Sequence, residues 1–284
     1  MPPPGSITWR RAGDARLMVG AGYALLLQVS HPVVGAGVSE HSNFREDPWG
    51  RLVRTLDYTN VMVYGDPEEA VRMGRWVRTM HRRIKGTDRH GRRYHALEPE
   101  PYAWVHATLA QAIVAGHARF GRPMNRAEVE DFYAEWRGLG RLLGVRDRDL
   151  PPDWAGFRAY FDDMVANRLE HTDSVRDVLE ALSRPSPPPV QALPDSAWRA
   201  ARLPAARMGT LATVGLLPSV LRRRFGLDWT RAQELELRAL GRASRAATPV
   251  MPASLRRMGP AWLARRREAI VRGGMLAEPG AQAA

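Results

Sequence analysis

Cysteine is absent from the 284-residue chain, and lysine occurs once, at Lys85. Without thiols there are no disulfides, thiolate zinc sites, iron–sulfur clusters or cysteine-ligated haem, so an iron here must be held by His, Tyr, Met or a carboxylate. With one lysine, the net charge of +12 rests on arginine. The arginines are spread along the chain and no run exceeds three, at 222–224 and 265–267. That pattern implies a solvated basic surface, with no specific nucleic-acid site and at most peripheral contact with an anionic membrane. Long apolar runs are missing too: residues 17–29 fall short of the roughly 20 needed to span a bilayer. Residues 1–16 carry no secretory pattern, which sets the expectation of a cytoplasmic protein. Also absent are H-E-x-x-H, the E-x-x-H pair of di-iron bundles, G-x-S-x-G, the P-loop lysine motif and G-x-G-x-x-G, which removes weight from zinc protease, di-iron carboxylate, hydrolase and nucleotide-binding readings.

What is present is helical. Apolar residues make up 44% of the chain, enough for a sizeable core. Asp14 caps an apolar segment that must stop near His31, because Pro32 disfavours a helical residue before it. Asp47-Pro48 opens a helix running to Gly65, and Asp66-Pro67-Glu68-Glu69 repeats the device with a capping box, for a helix predicted to stop at Gly86. Polar residues 87–97, with Gly91 at the centre, read as a turn or short hairpin. Further helices are predicted over about 101–120, 125–144, 153–170 and 173–183, and shorter ones near 208–224, 229–245 and 259–272. No strand longer than a few residues is expected. The proline-rich stretch 183–196 is a semi-rigid extended connector. Residues 1–9 and 273–284 read as flexible tails.

Five histidines carry separate readings. His106 and His117 share a face of one helix, but eleven residues separate them, roughly 16 Å at 1.5 Å per residue, too far to hold one metal. His81 lies four after Val77 and three before Ile84, inside the apolar stripe of its helix. It is either a core histidine bonded to a backbone carbonyl or an axial ligand presented into an apolar cavity, as a b-type haem needs. His31, before Pro32, lies with His41 in or near the loop between two helices, where such residues face a ligand pocket or cap helix ends. Arg51, Arg54 and Thr55, at three- and four-residue spacing, form one polar cluster on the preceding helix. Paired arginines suit haem propionates or a substrate carboxylate, and equally suit solvent.

The run LLLQVSHPVVGAGVSEHSNFREDPWGRLVRTLDYTNVMVYGDPEEA, then VRTMHRRIKG and YHALEPEPYAWVHATL, and later LLPSVLRRRFGLDWT, resembles the domain shared by the latex-clearing proteins and the MpaB-type oxygenases. The resemblance spans roughly residues 10–270, across the connector, and implies one all-α domain over 10–272: a helical bundle with a globin-like core around a haem pocket. It further implies haem b as cofactor, with its iron on His81, O₂ as co-substrate, and cleavage of carbon–carbon double bonds in polyisoprene or a terpenoid side chain. Carried over, Arg51, Arg54 and Thr55 match the distal R-L-x-K-T segment; His31 is a cofactor candidate from its loop position alone. One departure stands out: Arg54 replaces a lysine able to reach the distal side of the iron. Arginine stays protonated and is a poor ligand, so it would instead hydrogen-bond an oxygen species or a propionate. The absence of an export signal argues against an extracellular polymer. The expected activity is therefore a haem-dependent oxygenase acting on a small apolar or amphipathic molecule, such as an isoprenoid or other secondary metabolite. The alternatives are a haem-dependent dehydrogenase or oxidase that inserts no oxygen, and a non-catalytic haem, lipid or nucleic-acid binding protein.

Overall fold

The computed structural model describes residues 1–187 and 194–272. Fourteen α-helices and one small hairpin make up its regular structure apart from two short 3-10 turns. The N-terminal half holds α1 (Ile7–Arg11), α2 (Ala21–Val29), α3 (Pro32–His41), α4 (Pro48–Tyr64) and α5 (Pro67–His81). The hairpin follows, β1 (Lys85–Thr87) and β2 (Arg93–His95), and then α6 (Pro99–Phe120) and α7 (Arg126–Leu143). The rest is α8 (Trp154–Asn167), α9 (Asp173–Ser183), α10 (Asp195–Leu216), α11 (Ser219–Arg224), α12 (Arg231–Ala246), α13 (Ala253–Arg256) and α14 (Met258–Arg272).

Local chemistry sets most of these boundaries. Asp66 with Glu69, and Asn125 with Glu128, form reciprocal capping boxes at the starts of α5 and α7. Gly144 ends α7 in the left-handed region at φ 85°, which a residue without Cβ adopts at no steric cost.

Four expectations are revised. Within the stretch 1–9, residues 6–8 are tied down: Ser6 Oγ and the Thr8 amide both donate to Glu135 at 2.9 Å, and Ile7 and Thr8 are buried. The segment after Asp14 is a 3-10 turn (Ala15–Gly20) before α2, and α10 crosses α2 closely: a Cβ on Gly22 would lie 2.3 Å from Thr213 Oγ1. Helix α5 ends at His81, five residues before Gly86, since Lys85, Gly86 and Thr87 pair with His95, Tyr94 and Arg93 in the hairpin. The helix expected near 208–224 is two helices, broken at Leu217 and Pro218, and the first begins much earlier, at Asp195. Of the connector, residues 188–193 lie outside the described residues, as does the tail 273–284.

The core forms three clusters along α6, which is buried along most of its length. One cluster surrounds Trp104, which is fully buried, stacks on Phe161 and donates from its indole to Leu27 O at 2.8 Å. A second joins α4 and α5 to α6 and α7 through Val63, Ala70, Ile113, Phe132 and Trp136. A third, smaller one places Phe120, Ala212 and Leu237 together. The protein is thus a single all-α domain. Among the described residues no single helix is long and apolar enough to cross a membrane; the segment 15–29 reaches that composition only together with α3, across a 106° bend.

Candidate functional site

His81 closes the last turn of α5. Its Nδ1–H donates to Val77 O, one turn back, at 2.7 Å. That bond fixes the tautomer and leaves the Nε2 lone pair without a hydrogen-bond partner among the described residues. The ring meets Tyr102 edge to face, with centroids 5.7 Å apart, and the Tyr102 hydroxyl is held by Leu143 O at 2.9 Å. Burial, and after it the nearby Arg51 charge, lower the His81 pKa against the Val77 bond, so the ring is neutral at physiological pH.

Arg51 reaches the same place from the first turns of α4. Its guanidinium donates to Ser42 Oγ at 2.8 Å, and burial followed by Arg54 pulls its pKa down to about 10. It remains a cation at neutral pH. Arg54 turns the other way: it is exposed, donates to Asn43 Oδ1 at 3.0 Å and pairs with Asp47 at 3.5 Å. Thr55 donates its hydroxyl back to Arg51 O at 3.0 Å. The structure therefore brings Arg51 and His81 together, keeps Thr55 on the same helix turn, and leaves Arg54 at the rim. His31 is held apart. It is buried at the start of α3 with Nε2 3.4 Å from Glu100, and burial lowers its pKa most. Glu100 is two residues from Tyr102, roughly 200° around α6. His41 accompanies neither; its Nε2 meets the Tyr94 hydroxyl at 3.0 Å.

Helices α4 and α6 also carry an apolar wall outside the core clusters. Leu52, Val53 and Leu56 of α4, and Val105 one turn after Tyr102, are half-buried yet belong to none of the three core clusters. Helix α4 packs along α5 and α14 and closes toward α6 and α7 only near its end, around a small cavity lined by Tyr58, Met62, His106 and Trp136. His106 there is structural: it donates from Nε2 to Trp136 O at 2.8 Å, accepts the Trp136 indole on its own carbonyl at 3.1 Å, and stacks on that ring. His117 likewise donates to Arg11 O at 2.9 Å.

These residues fit a porphyrin iron. No three His, Asp or Glu side chains gather as a metal site among the described residues. One imidazole with a free Nε2 suits an iron that arrives with four nitrogen donors of its own. The acceptor that such a histidine needs for its other ring N–H is present in Val77 O. A half-buried cation and apolar side chains suit a propionate edge and a macrocycle face respectively. Tyr102 and Ser42 were not singled out from the sequence; their parts depend on contacts across 21 and nine residues, which no local periodicity encodes.

The chain matches the family model for the ER-bound oxygenase mpaB/B'/Rubber oxygenase catalytic domain over residues 9–246. No curated protein and no solved structure matches it.

Proposed function

We propose, from the premise that the chain belongs to the mpaB/B'/rubber oxygenase catalytic-domain family, that it is a haem-b-dependent oxygenase. In this reading it acts with O₂ on a small apolar or amphipathic substrate, an isoprenoid or another secondary metabolite, in the cytoplasm. The observation that carries the reading is His81: a neutral ring, locked by Val77 O, with its other nitrogen free and the half-buried Arg51 cation nearby.

His81 would hold the iron through Nε2, and Arg51 a propionate or a substrate carboxylate. The bound haem would supply the activation of O₂ that no side chain here offers. The protein's own contributions are positional. Val77 O keeps the Nδ1 proton in place, so Nε2 stays a donor of electrons. Ser42 orients the Arg51 guanidinium, and Thr55, back-bonded to Arg51 O, stiffens the turn that carries it. Leu52, Val53 and Leu56 exclude water and give an apolar substrate somewhere to lie. Arg54, at the rim, is placed to meet an anionic group as it enters. His31 has its Nε2 engaged by Glu100 and is not needed for this arrangement.

The test is haem reconstitution followed by visible absorption. Wild-type protein should take up one haem with a strong Soret band. His81→Ala should lose that band or shift it grossly while its far-ultraviolet circular dichroism stays unchanged. A Soret band in His81→Ala identical to wild type, or no haem uptake by the wild type, would overturn the assignment. Isotope-labelled O₂ then separates oxygen insertion from dehydrogenation, since only the former labels the product.

A further inference from the structure

At the other end of α6 from His81 lies a cleft of about 580 Å³ with an apolar floor and an arginine rim. Tyr102 and Ala115 stand thirteen residues apart on α6, so the two places are separated by roughly 20 Å. Ala115 and Ala118 of α6 and Gly215 and Leu216 of α10 form the floor. Small side chains are required there: a Cβ on Gly215 would lie 2.4 Å from Leu237 Cδ2 and 2.7 Å from the Trp229 ring. The rim is Arg119, from the last turn of α6, with Arg238, Arg242 and Arg245, spaced by four and three residues on one face of α12.

The rim is held in place. Glu234 accepts from Arg238 at 2.8 Å and from Arg119 at 3.4 Å, and is itself steadied by the Trp229 indole at 3.2 Å. Arg245 donates to Arg119 O at 2.6 Å, and Ser244 to Phe120 O at 2.8 Å, which clamps α12 onto the end of α6. Arg222 adds a fifth guanidinium nearby, over the Trp229 ring at 5.1 Å and bonded to Leu217 O at 2.9 Å. Against these cations the ion pairs among the described residues set one carboxylate, Glu234. Arg242 has no ion pair among the described residues; its Nε reaches only Arg238 O, at 3.5 Å.

We infer that this cleft binds an organic diphosphate, its charged head gripped by Arg119, Arg238, Arg242 and Arg245 and its apolar part resting on Ala115, Ala118 and Leu216. Guanidinium forks match phosphate oxygens two at a time, so converging arginines favour a ligand with several adjacent anionic oxygens over a single carboxylate. The volume suits a small organic ligand and exceeds what an inorganic anion fills. The inference is independent of the haem reading, because it uses no residue of the His81 site.

Titration calorimetry on the full chain at low salt tests it, with inorganic pyrophosphate, orthophosphate and a short alkyl diphosphate as probes. Pyrophosphate should bind one per chain, orthophosphate about tenfold more weakly, and the alkyl diphosphate more tightly than pyrophosphate. Arg242→Gln removes no ion pair within the protein and should weaken pyrophosphate by about tenfold, the worth of one charge-assisted hydrogen bond. Arg126→Gln, an exposed arginine elsewhere, should leave binding unchanged, and so should His81→Ala. Several weak sites per chain, equal losses in Arg242→Gln and Arg126→Gln, or loss of pyrophosphate binding in His81→Ala would overturn the inference. So would duplex DNA binding that pyrophosphate fails to displace, which would make the rim a nucleic-acid surface.

Discussion

Around Trp104 and along the first turns of α4 the same kind of apolar residue meets opposite fates. Trp104, Phe157, Phe161, Leu26 and Leu27 are buried to 2% exposure or less and interdigitate in one cluster. Leu52, Val53 and Leu56 are half-buried and join no cluster, although their helix is as regular as any other. The first arrangement is what stability requires, since burial and close packing contribute most of the folding free energy. The second stores little. The contrast separates the part of the molecule that holds the fold from the half-buried apolar residues that the proposed function assigns to a ligand.

Substitutions on the two sides should therefore differ in size. Trp104→Ala, in the filled region, should cost about 3–5 kcal/mol of unfolding free energy in urea titrations; a loss under 1 kcal/mol would mean that this core is looser than described. Acid should act next in magnitude. Burial holds His106 neutral, its pKa lowered from 6.5 to about 4. Below pH 6.5 the unfolded chain binds a proton that the folded protein refuses. Stability present above that pH is then lost as pH falls toward 4, by ~3 kcal/mol for this residue. His31, His81 and His117 are shifted in the same direction and add to the loss. His106→Gln should flatten the fall between pH 7 and 4.5, and an unaltered slope would show that the ring is charged in the fold. The smallest effect belongs to the wall: Leu56→Ala should cost under about 1 kcal/mol in haem-free protein, yet accelerate haem transfer to an apoglobin acceptor from reconstituted protein. A large loss without haem would show that the wall is already packed.

Much of the frame is legible locally. Asp47-Pro48, the Asp66–Glu69 box and the Asn125–Glu128 box each start a helix where the sequence places them. The position of His81 on its stripe is equally local, and so is its bond to Val77 O, four residues back. What spacing missed is informative. Arg51 and Arg54 share a face by count, but one turns in to Ser42 and the other out to Asn43 and Asp47, because the chain entering α4 offers different partners on the two sides. The arginine rim of the second cleft was equally invisible: 119 and 238–245 lie more than a hundred residues apart, and each reads alone as a solvated charge.

The sequence by itself determined that this is a helical, thiol-free protein, where most of its helices begin, and which histidine stands on an apolar stripe. Capping bonds and amphipathic stripes are settled among neighbours within one or two turns, so a linear reading reaches them. Only the tertiary structure decided that Tyr102 and Arg51 lie near that histidine, that Leu52, Val53 and Leu56 of α4 stay half-buried outside the core clusters, and that four arginines from two helices meet over an apolar floor. Those outcomes follow from how whole helices pack, where the gain is shared among many residues distant in sequence and no single spacing records it.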